Sequence, residues 1–535
     1  AGEMPNFIPL LQAWGGVTLA YRKGMQQSPA YTRNHEELIK ALQEGLFYQE
    51  GLDPLRAELD GYGHIAAMVF RRMEEVEGRW RPTDTELRLP ARAVFVAAGT
   101  VPNTIYEREY PGTLTLDGDH FQTYVGHAHS LQTVQVAADC KAPDFGPFTS
   151  YHDDQQHRVS FVGDAHPVFH GSVVKAIASA KRSYPELMEH LRQLPERHIS
   201  LESFQGEMAR RLGMRIRRID RSNPAVCELW VEAPAAAQNF RPGQFFRLQS
   251  YEASSPLTEG TRLQIPVLTV SGAGVEDDCI RLMVLQWGTA PRLVGRLREG
   301  DPIVLMGPTG APTDIPQNKT ILVVAGRWGA AVMMDIGPAL RAAGNRVLYV
   351  AALGEARELD HQELLEAAAD QIVWCVAKGP QIAARRPQDL SVTASDMVQL
   401  LQDYAAGRLG RIDSHIALDT VDRLMVMGST GLLKAFQAAL RGTLEGCFRP
   451  DLEAVATVGS PMQCMLKGVC AQCLQWQVDP QTGQRTQAVF SCAGQDQPLA
   501  WVDLDHLAAR QSQNRLLERL SSQWLDHLLQ GMAKA

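Results

Sequence analysis

Apolar positions fall into three textures along this chain. Up to about residue 190, short β-rich runs such as Val17-Thr-Leu-Ala-Tyr21 and Ala93-Val-Phe-Val-Ala97 alternate with helical patterns such as Asn34 to Gln43, which predicts an α/β module. Between Tyr110 and His157 the periodicity weakens into a Gly-, His- and Asp-rich stretch with the character of an insertion loop. A helix over Gly171 to Lys181 follows, its face of small residues suited to close packing against a sheet or a cofactor, and residues 185–212 read as a helical linker. From Met214 the pattern changes to short strands with turn signals. Strands are predicted at 214–219, 228–231, 245–248, 267–270, 281–285 and 303–306, the spacing of a small antiparallel barrel. From Lys319 strands and helices alternate again, with strands at Thr320–Val324, Val347–Val350 and Leu424–Met427, which predicts a second, nucleotide-binding α/β domain. In the tail, Leu517, Leu520, Trp524 and Leu528 share one helical face.

These textures divide the chain at 1–184, 185–212, 213–316, 317–455, 456–500 and 501–535, and its fold class is multidomain α/β and β. With 535 residues, several cores are required. Hydrophobic residues at 45% and charged ones at 21% suit folded domains throughout. A net charge of −8 spread over this length offers no basic face for nucleic acid and no polybasic stretch for a membrane surface, which leaves small molecules and protein partners. The longest apolar stretch, Thr320 to Leu340, is interrupted by Arg327 and Asp335 and cannot be a membrane span. The opening Ala-Gly-Glu-Met carries neither an initiator methionine nor a signal peptide, so a cytoplasmic chain is expected, its true start removed or lying on another polypeptide.

Of nine cysteines, five are scattered and four are bunched as C-x5-C-x2-C-x18-C: Cys464, Cys470, Cys473 and Cys492. Scattered thiols with one cluster indicate metal rather than disulfides. Thiolates on a tight loop neutralise and shield bridged iron, and a [2Fe-2S] centre is the first reading. Structural zinc is the alternative, although zinc ribbons use two C-x2-C knuckles and only Cys470-Ala-Gln-Cys473 is present. In the first module Ala97-Ala-Gly-Thr-Val-Pro-Asn103 follows a predicted buried strand, and Phe161-Val-Gly163-Asp164 follows another before the Gly171 helix. A strand-end aspartate can accept hydrogen bonds from flavin ribityl or ribose hydroxyls while the next helix N-terminus favours a pyrophosphate. His120, His127, His129, His152 and His157 of the insertion show no ligand spacing and read as a solvated loop.

On Val17 to Lys23, Ala97 to Asn103, and Gly163-Asp164 with Gly171-Ser-Val-Val-Lys-Ala176, residues 15–182 resemble the latter part of the glutamate synthase small-subunit family of FAD- and NADPH-binding oxidoreductases. The resemblance implies a partial two-dinucleotide-binding, Rossmann-like domain. It gives Arg22 and Lys23 to an NADPH 2′-phosphate and Gly163, Asp164, Gly171, Ser172 and Val173 to FAD.

Residues 214–500 resemble the ferredoxin-reductase-like electron-transfer subunits of dihydroorotate dehydrogenase and of NADH-dependent ferredoxin:NADP oxidoreductase. The resemblance is carried by Arg241-Pro-Gly-Gln-Phe245, Ile265-Pro-Val-Leu-Thr269, Gly288-Thr289, Glu299-Gly-Asp301, Gly307-Pro308, Val323-Val-Ala-Gly326, Met427-Gly-Ser429 and the cysteines. It implies a flavin-binding β-barrel with FAD at Pro266, Val267, Leu268, Thr269, Gly288 and Thr289. It further implies a nicotinamide nucleotide at Gly326 and Gly428, and a small domain in which Cys464, Cys470, Cys473 and Cys492 ligate [2Fe-2S]. Arg327 and Trp328 stand where that family's glycine-rich turn runs, and bulk there crowds the backbone approach that glycine permits.

The expected function is a flavin and iron–sulfur oxidoreductase, transhydrogenase-like, moving electrons between NADH or NADPH, one or two FAD and the cluster. One alternative is an electron-input subunit for a partner of glutamate synthase, dihydroorotate dehydrogenase or 2-oxoacid oxidoreductase type; another is a scaffold subunit with decayed nucleotide sites. Ferredoxin or a partner oxidoreductase subunit is the expected protein partner, within an oligomer or multisubunit complex.

Overall fold

The computed structural model describes residues 6–99, 101–104, 106–107, 112–125, 132–134, 149–152, 158–166, 168–196, 198–326, 329–410, 415–457 and 473–534. The chain forms two compact units, the first carrying residues up to 107 and 111–194, the second residues 195–535 with 108–110.

In the first unit, Thr18–Ala20 and Phe47–Gln49 pair in parallel across the helix Pro29–Gln43. Ser28 starts that helix: its Oγ accepts from the Tyr31 amide at 3.1 Å, and Pro29 takes the first helical position, where no N–H is needed. The chain then runs through an antiparallel meander of Leu52–Leu59, Ile65–Val76 and Arg79–Pro90. Glu77 and Gly78 turn its second hairpin with φ of 51° and 74°, the left-handed pair that matches strand twist in a two-residue loop. Further along, Thr149–His152 pairs antiparallel with Arg158–Phe161, and the helix Val173–Arg192 follows.

The expectation of a buried strand at Ala93–Ala97 is corrected: the segment carries no strand, and Phe95 and Val96 are 91% and 86% exposed. A β-branched run becomes a strand only when a neighbour supplies ladder partners and a face to bury against, and neither is found there among the described residues.

In the second unit, six antiparallel strands lie in the order Arg215–Asp220, Val226–Glu232, Cys279–Leu285, Leu268–Glu276, Phe245–Ser250, Ile303–Thr309. Ile216 N–H donates to Asp301 at 3.0 Å and Ile303 N–H to Met214 at 3.1 Å, so the first and last strands meet and the sheet closes into a barrel. Alternate side chains, among them Leu229, Val231, Phe246, Leu248, Ile280 and Leu282, fill its interior. All six predicted barrel strands are found, each near its expected place.

Six parallel strands follow in the order Leu390–Thr393, Gln371–Val376, Arg346–Leu353, Thr320–Ala325, Arg423–Met427, Glu453–Thr457, with Asp496–Pro498 added antiparallel at the edge. Ile321–Ala325 and Gln371–Val376 are buried on both faces, which is why they read as unbroken apolar runs. Each fully buried Val, Leu or Ile contributes roughly 1.5–3 kcal/mol, so these strands anchor the domain. Beyond the sheet, Leu474–Val478 and Arg485–Phe490 form a hairpin, and the helices Leu504–Ser512 and Arg515–Lys534 end the described chain. Among the described residues no helix is long and apolar enough to cross a membrane.

Candidate functional site

The parallel sheet reverses direction of travel at Thr320–Ala325. The strand after it in the chain lies on one side, Arg423–Met427 on the other, and a crevice opens at their carboxyl ends. Gly326 and Gly428 stand there together. Gly326 N–H donates to the Met427 carbonyl at 2.9 Å, and a Cβ on Gly326 would lie 4.0 Å from the Gly428 Cα. Two bare backbones about a hundred residues apart in sequence thus meet at the crevice: a Cβ on Gly326 would meet no atom nearer than 3.9 Å, whereas one on Gly428 would lie 2.8 Å from Leu432 Cδ2. The helices Gly329–Ala342 and Thr430–Ala439 both start at this end of the sheet; Ser429 caps the second, accepting from the Leu432 amide at 3.2 Å. Arg327 and Trp328 lie outside the described residues.

The Arg241–Phe245 turn is where the barrel, the α/β sheet and the cysteine region meet. Gly243 N–H donates to Asp335 Oδ2 at 2.6 Å, the Gly243 carbonyl accepts from the Gln495 side chain, and Phe245 packs on Cys473 and Cys492. A Cβ at Gly243 would lie 2.1 Å from Thr313 Oγ1, so only glycine fits. Asp335 is 8% exposed, and burial pushes its carboxyl up to about 7 against the opposing Gly243 hydrogen bond.

Cys473 and Cys492 lie at either end of the hairpin, 1% and 0% exposed, with their sulfurs 3.3 Å apart. That is far beyond a disulfide bond of about 2.05 Å. It is close to the ~3.8 Å between two thiolates that share one tetrahedral ion at ~2.3 Å each. The neighbouring Cys492 thiol and then burial push the Cys473 thiol up, so a cation between them is what would stabilise the thiolates. The pair therefore fits two corners of a metal centre. Cys464 and Cys470 lie outside the described residues, and among the described residues no group of three or more candidate ligands assembles.

On the barrel, Pro266 is exposed, Val267 half-buried, and Leu268 and Thr269 open the strand Leu268–Glu276, with Thr269 opposite Arg247. Gly288 takes φ of 92° and turns the chain so that both Thr289 donors face one point: N–H and Oγ1 reach Glu518 Oε1 at 2.7 and 3.1 Å. This donor set suits an oxygen anion, and a carboxylate from the last helix meets it. Glu518, Asp335 and Gln495 escaped the sequence reading. The tail's periodicity was the available signal, and of the four residues it placed on one face Leu528 and Trp524 meet the barrel while Leu517 and Leu520 do not. Leu525 and Leu528 are buried in the barrel core, whereas Leu517 and Leu520 are 65% and 52% exposed.

In the first unit, Arg22 and Lys23 are exposed directly after the strand Thr18–Ala20. Gly163 and Asp164 follow Arg158–Phe161; Gly163 N–H donates to Ser179 Oγ at 2.7 Å, and Asp164 Oδ1 accepts from Gly171 N–H at 2.9 Å. Ser172 Oγ accepts from the Lys175 amide at 3.3 Å and caps the helix that opens with the exposed Val173. Gly163, Asp164, Gly171, Ser172 and Val173 are thus brought together. Of the insertion histidines, His120 stacks at a tilt 5.4 Å from His170; His127, His129 and His157 lie outside the described residues.

The class these features define is an antiparallel barrel joined to a doubly wound α/β sheet with a cysteine hairpin at its edge. No family model matches the chain. It is 26% identical over 522 residues to an uncharacterized protein of Rickettsia prowazekii (strain Madrid E), covering 95% of this chain and 56% of that one. It is 31% identical over 126 residues to a dihydroorotate dehydrogenase B (NAD(+)) electron transfer subunit homolog of Thermotoga maritima, covering 23% of this chain and 42% of the relative. The chain spans about half the length of the curated relatives it matches. A solved structure of an NADH-dependent reduced ferredoxin-NADP oxidoreductase aligns at 20% identity and a TM-score of 0.45, covering 59% of this chain and 98% of that one. The cytochrome b5 reductase domain of Ulva prolifera nitrate reductase aligns at 14% identity and a TM-score of 0.32, covering 42% of this chain and 88% of that one.

Proposed function

We propose that this chain is a nicotinamide-linked flavin oxidoreductase that passes electrons to or from an iron–sulfur centre. The observation that carries the reading is the meeting of Gly326 and Gly428 at the switch point of a doubly wound sheet, with a barrel and a convergent thiol pair attached to the same unit. In this reading the two glycines let a nicotinamide nucleotide lie against the backbone. Pro266, Val267, Leu268, Thr269, Gly288 and Thr289 hold FAD on the barrel, and Cys464, Cys470, Cys473 and Cys492 hold [2Fe-2S]. Gly163, Asp164, Gly171, Ser172 and Val173, with Arg22 and Lys23 for an NADPH phosphate, form a second dinucleotide site in the first unit.

Flavin, when bound, exchanges two electrons with nicotinamide or one with the cluster, so the protein's own residues need only bind, orient and shield. The Arg241–Phe245 turn serves that end. Asp335 holds it from the sheet side, Gln495 from the cysteine side, and Phe245 covers the sulfurs from water.

The likeness to the Thermotoga electron transfer subunit homolog favours a second reading, an electron-input subunit serving a partner enzyme. Both are tested by the visible spectrum of anaerobically purified protein, with iron, zinc and flavin content, before and after NADH or NADPH. Flavin bands with cluster absorption that bleach with one nucleotide support the first reading. Bleaching with turnover only when a partner protein is added supports the second, and a colourless zinc protein refutes both.

A further inference from the structure

Five polar side chains form a single file from the protein surface to the cysteine hairpin. Alternation along the strand Leu474–Val478 turns Gln475 and Gln477 to one face, where both are buried. The edge strand Asp496–Pro498 places the buried Gln497 against both of them, and the partner strand Arg485–Phe490 supplies Gln487 at the exposed end. Gln487 Nε2 donates to Gln477 Oε1 at 2.8 Å, Gln477 Nε2 to Gln497 Oε1 at 3.4 Å, Gln497 Nε2 to Gln475 Oε1 at 3.0 Å, and Gln475 Nε2 to Ser491 Oγ. Ser491 Oγ in turn donates to the Cys473 carbonyl at 3.3 Å, and Ser491 immediately precedes Cys492.

The inner end fixes the direction of the file. A carbonyl only accepts, so the Ser491 hydroxyl donates to Cys473 and its oxygen accepts from Gln475; every amide upstream then has its oxygen outward and its NH2 inward. Gln497 gives the same sense independently, because its Nε2 also donates to the Gly494 carbonyl at 3.2 Å. Hydrogen bonds linked in series polarise one another in a desolvated interior, so the positive ends of the amides all point along the file toward the cysteines. Packing alone does not call for this arrangement. Buried amides cost free energy unless every donor and acceptor is matched, and aliphatic side chains would fill the same space without that condition.

We infer that Gln475, Gln477, Gln487, Gln497 and Ser491 form a polarised relay that positions the Cys473 segment and raises the reduction potential of the centre its thiol helps to hold. The inference rests on the reading of the cysteines as iron–sulfur ligands and concerns how the protein tunes that centre. Reduction adds one negative charge at the cluster, and a file of dipoles with positive ends inward stabilises the added charge. The glutamines are positioning residues, acting through Ser491 and the Cys473 peptide.

The test is a spectroelectrochemical titration of the full chain, reconstituted anaerobically with iron and sulfide. Wild type is compared with Gln475→Met, Gln497→Met, the double variant, Gln487→Ala and, as a control on the turn of the same hairpin, Gln481→Ala. Methionine keeps the length of glutamine and removes its polar ends. Gln475→Met should shift the reduced-to-oxidised ratio about tenfold toward oxidised, a fall of about 59 mV for one electron. The double variant should fall no further than Gln475→Met, because a break at Gln475 already disconnects Gln497. Gln487→Ala, whose side chain is exposed and leaves the packing intact, should lower the potential by less, and Gln481→Ala should leave it unchanged. A Gln475→Met potential equal to or above that of wild type, or shifts that simply add in the double variant, overturns the relay and leaves the iron–sulfur reading standing. Should the methionine variants fail to take up iron, Gln487→Ala decides, and an unchanged potential there overturns the relay. A wild type that takes up no iron sinks both the relay and the reading it rests on.

Discussion

Replacing Asp335 with asparagine should stabilise this protein at alkaline pH and leave it nearly unchanged at acid pH. Asp335 sits on the helix Gly329–Ala342, 8% exposed, and its Oδ2 accepts from Gly243 N–H at 2.6 Å. Burial raises its folded-state value from 3.8 to about 7. The group is an acid raised on folding, so between these values the native state holds a proton that the unfolded state has lost, and stability falls as pH rises. Three units at about 1.36 kcal/mol each amount to about 4 kcal/mol, fully expressed above pH 7 and absent below pH 4. Asparagine keeps an acceptor for Gly243 and never ionises. Urea denaturation of wild type and Asp335→Asn, followed by the fluorescence of buried Trp374 and Trp230 at pH 5, 6, 7 and 8, should show a stability difference that grows by about 2.5 kcal/mol from pH 5 to pH 8. A difference independent of pH, or a wild type that gains on the variant toward pH 8, would refute the account. Because the Gly243 turn also carries Phe245 onto the two sulfurs, the same series should show the cysteine centre losing metal more readily in wild type at pH 8 than in the variant.

Three further outcomes are expected. A Cβ at Gly326 would meet no atom nearer than 3.9 Å, so Gly326→Ala should fold as wild type yet weaken nicotinamide nucleotide binding at least tenfold, about 1.4 kcal/mol; unchanged affinity by calorimetry would remove the switch-point site. Cys473→Ser and Cys492→Ser should each abolish bound iron, whereas Cys447→Ser should not, as measured by iron content per chain; iron retained in both single variants would break the ligand assignment. Cys227, 1% exposed and pushed up to about 11 by burial, should resist iodoacetamide at pH 8 in the folded protein and react once it is unfolded, read by mass spectrometry.

The strands of the second unit were legible because their side chains obey simple periods. The barrel alternates buried and half-buried positions, as Cys279–Leu285 shows, and the parallel sheet gives continuous apolar runs. The glycines after Ala325 and Met427, and the cysteine spacing, were legible for the same local reason: each motif is a short segment whose chemistry depends on neighbours in sequence. The meander Leu52–Pro90 was not, because Arg71, Arg72, Glu74 and Glu75 leave much of its middle strand exposed, and its tight turn uses Glu77-Gly78 rather than a stronger turn pair. Ala93–Ala97 was misread for the converse reason: β propensity is local, but a strand exists only with a partner.

The sequence by itself therefore determined which segments could be strands, where backbone is bare, and which thiols are grouped. Only the tertiary structure decided that Glu518 would meet Thr289 from 229 residues away, that Asp335 would be desolvated against Gly243, and that Cys473 and Cys492 would close to 3.3 Å. Those contacts depend on how domains pack, and the burial that shifts an acid or aligns two sulfurs is created by that packing rather than by neighbours along the chain.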